Sequence, residues 1–544
     1  MKPLGAPMFA AAEQPAPRFA QQAAPARNRV RILALSIFAV LLLLAGRAVQ
    51  LAFAGDPLAE PRRAASAPAP LARADIVDRN GVLLATTVRA YALTAAPQRV
   101  WNAGETADAL RRVFPDLDRA TLLRRLGDRE RRQVYLRRGL TPNQREQVTA
   151  LGLGGIGFVA EDRRAYPQGA LAAHVLGFTD VDLNPLAGVE RGLDGAIRAG
   201  GEHGRAVALS LDVRVQYALE EELDRAARAA GASGGAAILL DGRNGETLAL
   251  ASWPSFDPNA AGAAAETARR DRVAGGVREL GSTMKPFTLA MALEERVTTG
   301  AEVFDVSMPF DIDGAAITDH ERILGPVGLR EILARSSNIG AARLALRVGA
   351  ARQRTYLERL GLTAPAALEI GRNQAPIAPD TRGRRDVAGR GFGYGLAATP
   401  AALAGAYTVF VNDGARVAPT LRLRGEDEAV ERAPVFAPAT ARQVLFYLRG
   451  AVTNGTGRAA DVPGLAVAGK TGTAEIWGGA QGYDQSRNFS SFAGVFPANE
   501  PRYVIVLALD EVGEAGGATA APAVARTLRR IAPMLGLRVE AQSE

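Results

Sequence analysis

Ser282 and Lys285 stand one helical turn apart in Gly281-Ser282-Thr283-Met284-Lys285, a spacing that brings a hydroxyl and an amine within reach of each other. A serine hydroxyl is a weak nucleophile until a neighbour takes its proton, and an uncharged lysine can do so. To be neutral near pH 7 a lysine must be brought down from ~10.4, at a cost of ~4 kcal/mol, by desolvation and a second positive charge. Two later segments carry suitable groups. Ser336-Ser337-Asn338 offers hydroxyls and an amide, and Lys470-Thr471-Gly472-Thr473 offers a second cation flanked by hydroxyls. Singly, these segments read as an N-cap, a polar helix terminus and an edge strand with a surface lysine. In this order, they are the parts of a serine acyl-transferase whose base is a lysine.

Such a site needs rigid supports. Ser282 leads into an apolar helical stretch (Phe287, Leu289, Met291, Leu293), Asn338 lies in a helical run, and Lys470 lies in a strand. Pro286 is at odds with the first helix and should disturb Lys285. Upstream, Asp75–Ala85 reads as strand, Asn-Gly turn, strand. Helical patterns follow at 106–113, 118–126 and 141–151, then a loop-rich stretch over 166–204. A helix over 213–229 carries Val215, Leu219 and Leu223 on one face. Strands are expected at 236–241, 247–252, 465–469, 473–477, 490–496 and 503–510. Mostly helical chain is expected from 284 to about 360 and over 399–411, with a last helix at 521–535. A sheet drawn from both ends of this region, with helices inserted between, is an α+β layout.

At 544 residues the chain exceeds one ordinary core, so two or more domains are expected. With no cysteine and only His174, His203 and His320, a disulfide framework or thiolate metal site is excluded and a histidine-rich one is disfavoured. The net charge of +8 could suggest nucleic acid, but the arginines are scattered among Ala, Leu and Glu rather than grouped, so a solvated basic surface is the reading. Ile32–Gly46 is an uncharged run of 15 residues, continued beyond Arg47 by mostly apolar Ala48–Ala54. Lys2, Arg18, Arg27, Arg29 and Arg31 precede it against Glu13 alone, which predicts an anchor with a cytoplasmic N-terminus. Ala52-Phe53-Ala54 also resembles a signal-peptidase site. Late Arg47 and the apolar chain after it favour the uncleaved anchor.

Three motifs are look-alikes. Gly464–Thr471 fits the phosphate-loop pattern, but Leu465–Ala468 and Thr473–Trp477 read as strand on both sides of the lysine. Gly231–Gly235 matches a nucleophile elbow and Gly152–Gly157 a dinucleotide fingerprint, yet both follow helices, the reverse of the context each needs.

With these motifs in place, the chain resembles the class B penicillin-binding proteins, peptidoglycan D,D-transpeptidases. The likeness extends through Arg73–Gly81, Arg164–Pro167, Gly188–Glu190, Gly245-Glu246, Trp253-Pro254, Phe256–Asn259, Gly393–Gly395, Thr399-Pro400, Asn412–Gly414 and Gly455–Gly457. It implies a cytoplasmic tail (1–28), a transmembrane anchor (29–54), a linker (55–70), a non-catalytic pedestal (71–204) and a transpeptidase domain (205–540). By the same resemblance, Ser282 attacks the D-Ala-D-Ala bond of a stem peptide, Lys285 takes its proton, and Ser336 relays a proton to the leaving amine. Asn338 holds Lys285 and the substrate amide. Lys470, Thr471 and Thr473, with Gly472 between, receive the terminal carboxylate, and N–H groups of Ser282 and Thr473 form an oxyanion hole. A second stem peptide's amine resolves the acyl-enzyme, β-lactams acylate Ser282, and no cofactor or metal is implied. The expected location is the inner membrane with the catalytic domain periplasmic, beside a septal glycosyltransferase and other division proteins. The alternatives are a class A β-lactamase, which is smaller and has Asp where Ser337 stands, and a membrane β-lactam sensor, which needs a cytoplasmic effector that a 28-residue tail cannot supply. The short pedestal, together with Ala85–Thr87 and Leu93–Pro97, favours the cell-division branch over the elongation branch.

Overall fold

The structure, a computed structural model, describes residues 23–53, 73–380, 382–425, 427–477 and 483–539. Most of the expected tail, the last residue of the expected anchor and the whole of the expected linker lie outside the described residues. The chain forms two units, Met1–Ala69 and Pro70–Glu544.

The first unit is described as one helix, α1 (Ala23–Phe53). Its described side chains cover residues 31–47, roughly 25 Å of helix, against the ~30 Å of a bilayer's hydrocarbon core. Among the described residues no helix is long and apolar enough to cross a membrane. Ile32, Leu33, Leu35, Ile37, Phe38, Val40 and Leu41–Leu44 on α1 are all more than half exposed.

The second unit opens with the expected hairpin. β1 (Ile76–Val77) turns through Gly81 into β2 (Leu83–Ala95), a long strand that also pairs with β3 (Val134–Leu140) and β4 (Ile156–Ala165). Helices α2 (Ala103–Val113), α3 (Arg119–Gly127) and α4 (Pro142–Ala150) start on the caps Asn102, Asp118 and Thr141, each accepting a bond from a first-turn N–H. They seal a core of Leu93, Leu110, Phe114, Leu122, Leu126 and Leu136. The stretch read as loop over 166–204 contains α5 (Asp194–Glu202) and two shorter helical turns. Gly200 and Gly201 are poor helix formers, so the pattern hid α5; tertiary contacts hold it, with Ile197 fully buried and Gly200 pressed on Ala74. Strand β5 (Val207–Ala208) then closes the small sheet in parallel with β1.

This lobe hinges on one buried carboxylate. Glu190 takes Arg73 Nε at 2.8 Å and Arg164 Nε at 2.6 Å, with all three side chains essentially inaccessible. Arg73 reaches on to Asp194 at 2.5 Å, which ties down the start of α5.

The larger part of the unit is a five-stranded antiparallel sheet flanked by helices. Helix α6 (Val213–Ala229) has the expected bounds and precedes β6 (Gly234–Asp241) and β7 (Thr247–Trp253). Next come α7 (Lys285–Glu294), α8 (Leu329–Ala334), α9 (Asn338–Val348), α10 (Ala350–Arg359), α11 (Arg384–Gly391), α12 (Pro400–Tyr407) and α13 (Pro438–Thr453). The chain closes with β8 (Ala468–Trp477), β9 (Tyr483–Phe496), β10 (Tyr503–Val512) and α14 (Ala520–Ile531). The strand order is β8-β9-β10-β6-β7, so the sheet is assembled from two distant stretches, an α+β layout. Side chains alternate between two cores: Ala236, Ile238 and Leu240 face one, Ala237 and Leu239 the other.

Several expectations need correction. The region read as helical to about 360 is broken at 303–328 by short strands, including Phe310–Ile312 and Ala315–Ile317, turned by Asp313 and Gly314 with positive φ. Helices α11 and α13 went unread. Strands expected at 465–469 and 473–477 are one, because only Ala468 and Gly469 of the former pair in register; Ala466 turns with φ +44° before them. The last helix stops at Ile531, and Pro533 begins a separate turn of 3-10 helix.

Replacing Glu190 with Ala would leave the buried Arg164 guanidinium without its counter-charge and Arg73 with Asp194 alone. Glu190→Ala is expected to destabilise the lobe by about 3–5 kcal/mol, read by chemical denaturation; a loss below about 1 kcal/mol would contradict this account.

Candidate active site

Ser282 lies on a turn of 3-10 helix (Gly281–Met284) that runs directly into α7. Because α7 begins at Lys285, Pro286 occupies its first turn, where the missing N–H costs no bond; the expected disturbance is absent for that reason. Helix α7 is buried nearly all round, and its Phe287 packs edge-on to Tyr407 at 5.2 Å. The Tyr407 hydroxyl donates to the Thr283 carbonyl at 3.0 Å and fixes the turn from below.

Lys285 is fully buried. Its Nζ contacts the Ser336 carbonyl at 2.5 Å, Asn338 Oδ1 at 2.7 Å and Ser336 Oγ at 3.0 Å. Ser336 can point both oxygens at one nitrogen because its backbone is left-handed, with φ +60°, which for a residue with a Cβ is strained. Ser336 Oγ also lies 2.9 Å from Ser282 Oγ. No direct hydrogen bond joins Ser282 to Lys285; the Ser336 hydroxyl stands between them. Burial holds Lys285 well below the ordinary lysine value, helped by the Lys470 charge and opposed by Asp319.

β8 approaches from the other side. Gly472 lets it: a Cβ there would sit 2.3 Å from Ser491 Oγ and 3.0 Å from Thr283 Cγ2. The Thr473 carbonyl packs on Gly281, where a Cβ would be 2.9 Å away. Thr473 Oγ1 accepts from the Gly516 N–H at 3.2 Å, which leaves its own hydrogen free to donate. Lys470 is also fully buried, and burial brings it down to about 7. Its Nζ donates to the Thr471 carbonyl at 3.1 Å, Thr471 Oγ1 at 3.2 Å and Thr456 Oγ1 at 3.1 Å.

Two residues of this cluster carried no assigned role in the sequence reading. Thr456 joins Lys470 to Thr471, with the two threonine oxygens 2.7 Å apart. Asp319 accepts N–H bonds from Asn338 at 2.5 Å and Ile339 at 3.0 Å, and the Ser337 hydroxyl at 2.7 Å. A carboxylate on the first free N–H groups of α9 is favoured by the helix dipole as well as by the bonds. Gly455–Gly457 was visible as a motif, so Thr456 could have been found. Asp319 sits in the misread 303–328 stretch and gave no signal.

Since Asp319 supports the charged form of Lys285, Asp319→Asn is expected to move the Lys285 ionisation to lower pH, read by NMR on labelled lysine. It should also cost about 1–2 kcal/mol of stability through the lost cap. An ionisation that stays or rises would remove Asp319 from this role.

Comparison with known proteins identifies the chain's two matched regions. Residues 235–529 match the penicillin binding protein transpeptidase domain and residues 68–190 the penicillin-binding protein dimerisation domain. The chain is 41% identical over 490 residues to the probable peptidoglycan D,D-transpeptidase FtsI of Caulobacter vibrioides, covering 86% of this chain and 82% of that one. It is 31% identical to the peptidoglycan D,D-transpeptidase FtsI of Escherichia coli K12, covering 83% and 81%. Among solved structures, penicillin binding protein 3 of Mycobacterium tuberculosis in complex with aztreonam superposes with a TM-score of 0.69 at 26% identity, covering 87% of this chain and 98% of that one. A transpeptidase fold preceded by a dimerisation domain, with serine, lysines and threonines gathered at the edge of its sheet, places the chain in the family of penicillin-binding protein transpeptidases.

Proposed function

We propose that the protein is a septal peptidoglycan D,D-transpeptidase that cross-links stem peptides through a Ser282 acyl-enzyme. The observation that carries this reading is the run of short contacts from Ser282 Oγ through Ser336 Oγ to Lys285 Nζ, 2.9 and 3.0 Å long. A neutral Lys285 has two N–H groups and one lone pair. The Ser336 carbonyl and Asn338 Oδ1 can only accept, so they take the two N–H groups and leave the lone pair facing Ser336 Oγ.

Ser282 Oγ attacks the carbonyl of the D-Ala-D-Ala bond while its proton passes along this run to Lys285. The oxyanion forms between the N–H groups of Ser282 and Thr473; losing one such donor costs about 3–4 kcal/mol in comparable sites. The Ser336 hydroxyl returns the proton to the departing D-alanine nitrogen, which leaves an ester on Ser282. The amine of a second stem peptide then attacks that ester, loses its proton along the same path and restores Ser282. Lys470, with the hydroxyls of Thr471 and Thr473, receives the donor's terminal carboxylate, a charge-assisted contact. A β-lactam enters by the same route and remains on Ser282. The chain's own parts suffice for these steps.

The domain division at 71–204 and 205–540 is part of the same proposal. So are a single-pass inner-membrane anchor over 29–54, a cytoplasmic N-terminus and a periplasmic catalytic domain. The basic residues before Ile32 and the exposed apolar surface of α1 support the anchor. A septal glycosyltransferase and other division proteins are the partners this role requires. Similarity to two FtsI proteins favours the division branch, for which depletion should give filaments; rounded cells would point to elongation.

A labelled penicillin is expected to form a stable adduct that Ser282→Ala abolishes, seen on a denaturing gel; labelling that persists in the variant defeats the assignment. The two lysines set opposite limbs of the pH profile. Acylation should climb as Lys285 loses its proton and decline as Lys470 loses its charge near pH 7, both titrating below the lysine range. In Lys470→Arg the cation persists at all working pH, so the declining limb should leave the range pH 5–9; second-order acylation rates measured across that range decide it.

A further inference from the structure

The two proposed oxyanion donors belong to pieces of chain that are far apart in sequence. Thr473 N is on β8, a member of the central sheet, whereas Ser282 N is on the turn before α7, which is not. Their separation must be held to about 0.5 Å for both to meet one oxygen. The close contact of Gly281 with the Thr473 carbonyl sets how near they come. Something must also tie the turn to the sheet.

The backbone ties of the turn lead elsewhere. Arg278 and Glu279 pair with Ala398 and Ala397, the Leu280 N–H reaches the Leu396 carbonyl at 3.3 Å, and the Gly281 N–H reaches the Gly393 carbonyl at 3.3 Å. These partners lie on the 393–398 segment, which is no strand of the sheet, and the last two bonds are long. The short link to the sheet is a side chain. Arg278 Nε meets Asp510 Oδ1 at 2.8 Å and its Nη2 meets Oδ2 at 2.6 Å, a two-pronged charged pair that is rigid as well as strong. The Asp510 side chain is only 13% exposed, which limits screening by water.

Asp510 also has the right address. Thr473 pairs with Ser490 on β9, and Ser490 with Leu509 on β10, so Asp510 is the next residue along from the rung of Thr473 itself. Asp510 in turn pairs with Gly234, where a Cβ would come 2.6 Å from its Oδ2, so the absence of a side chain at Gly234 makes room for the carboxylate.

We propose that Arg278 and Asp510 are positioning residues: their ion pair ties the nucleophile turn to the rung of Thr473 and so sets the width of the oxyanion hole. The inference rests on the acyl-transfer reading above. Arg278 touches neither the substrate carboxylate site nor the Ser282–Ser336–Lys285 run, so the pair acts on the transition state and leaves initial binding alone.

The test is stopped-flow acylation of the full chain by a chromogenic cephalosporin, resolved into the initial dissociation constant and the acylation rate constant, with melting temperature alongside. Arg278→Gln is expected to lower the rate constant by about tenfold to a hundredfold, the scale of a misplacement near 1 Å. The dissociation constant should stay within about twofold. Arg278→Lys keeps the charge without the second prong and should fall between; it also serves if the glutamine variant folds poorly. The exchanged pair R278D/D510R should recover part of the lost rate. Unchanged rates in both single variants, or a loss that appears in the dissociation constant instead, overturns the inference. An unaltered protein without a Ser282-dependent adduct sinks the acyl-transfer reading, and this inference with it.

Discussion

Two lysines are sealed from water in one cleft, and every hydrogen-bond partner of their nitrogens is a neutral oxygen. Lys285 has the Ser336 carbonyl, the Ser336 hydroxyl and an amide oxygen; Lys470 has two threonine hydroxyls and a carbonyl. Burying two like charges without a paired carboxylate is costly, and the cost is relieved when a proton leaves. The fold therefore has to hold the site against its own electrostatics. The apolar jacket of α7, the close packing of β8 at Gly472 and the strained turn at Ser336 all serve that confinement. Asp319 moderates it: a carboxylate near enough to favour the charged form of Lys285, yet turned toward the backbone of α9 and not toward the amine.

Much of this was legible in the residues because chemistry of this kind needs particular side chains at particular spacings. Ser282 with Lys285, Ser336 with Asn338, and Lys470 with Thr473 could be picked out by type and order. Helix α6 was legible to its end residues because Val215, Leu219 and Leu223 make an unbroken apolar stripe between Asp212 and the glycine stop. The hairpin at Asn80-Gly81 was legible from its turn chemistry.

What stayed hidden has physical reasons. Asp319 acts on backbone N–H groups, which every residue possesses, so no partner side chain advertises it. The strands around it are three residues long and too short to establish a period. Helix α5 runs through three glycines, Gly195, Gly200 and Gly201, and its start is held because Arg73 and Asp194 meet from distant parts of the lobe. The contact between Ser282 and Ser336 depends on a left-handed residue that nothing in Ser-Ser-Asn foretells. Pro286, read as a disturbance, turned out to be an ordinary first-turn proline once the helix start was known.

The division of the central sheet between two stretches of chain has a bearing on how the protein is made. Strands β6 and β7 are complete by Trp253 and the nucleophile follows soon after, but the strand bearing Lys470 begins only at Ala468 and its neighbours end at Val512. During synthesis, some two hundred residues pass between one half of the sheet and the other. For all that interval the serine exists without its cleft, and the emerging polypeptide is chemically silent toward the wall it will later modify. Reactivity arrives late, once β10 has joined β9 to β6 and shut the sheet.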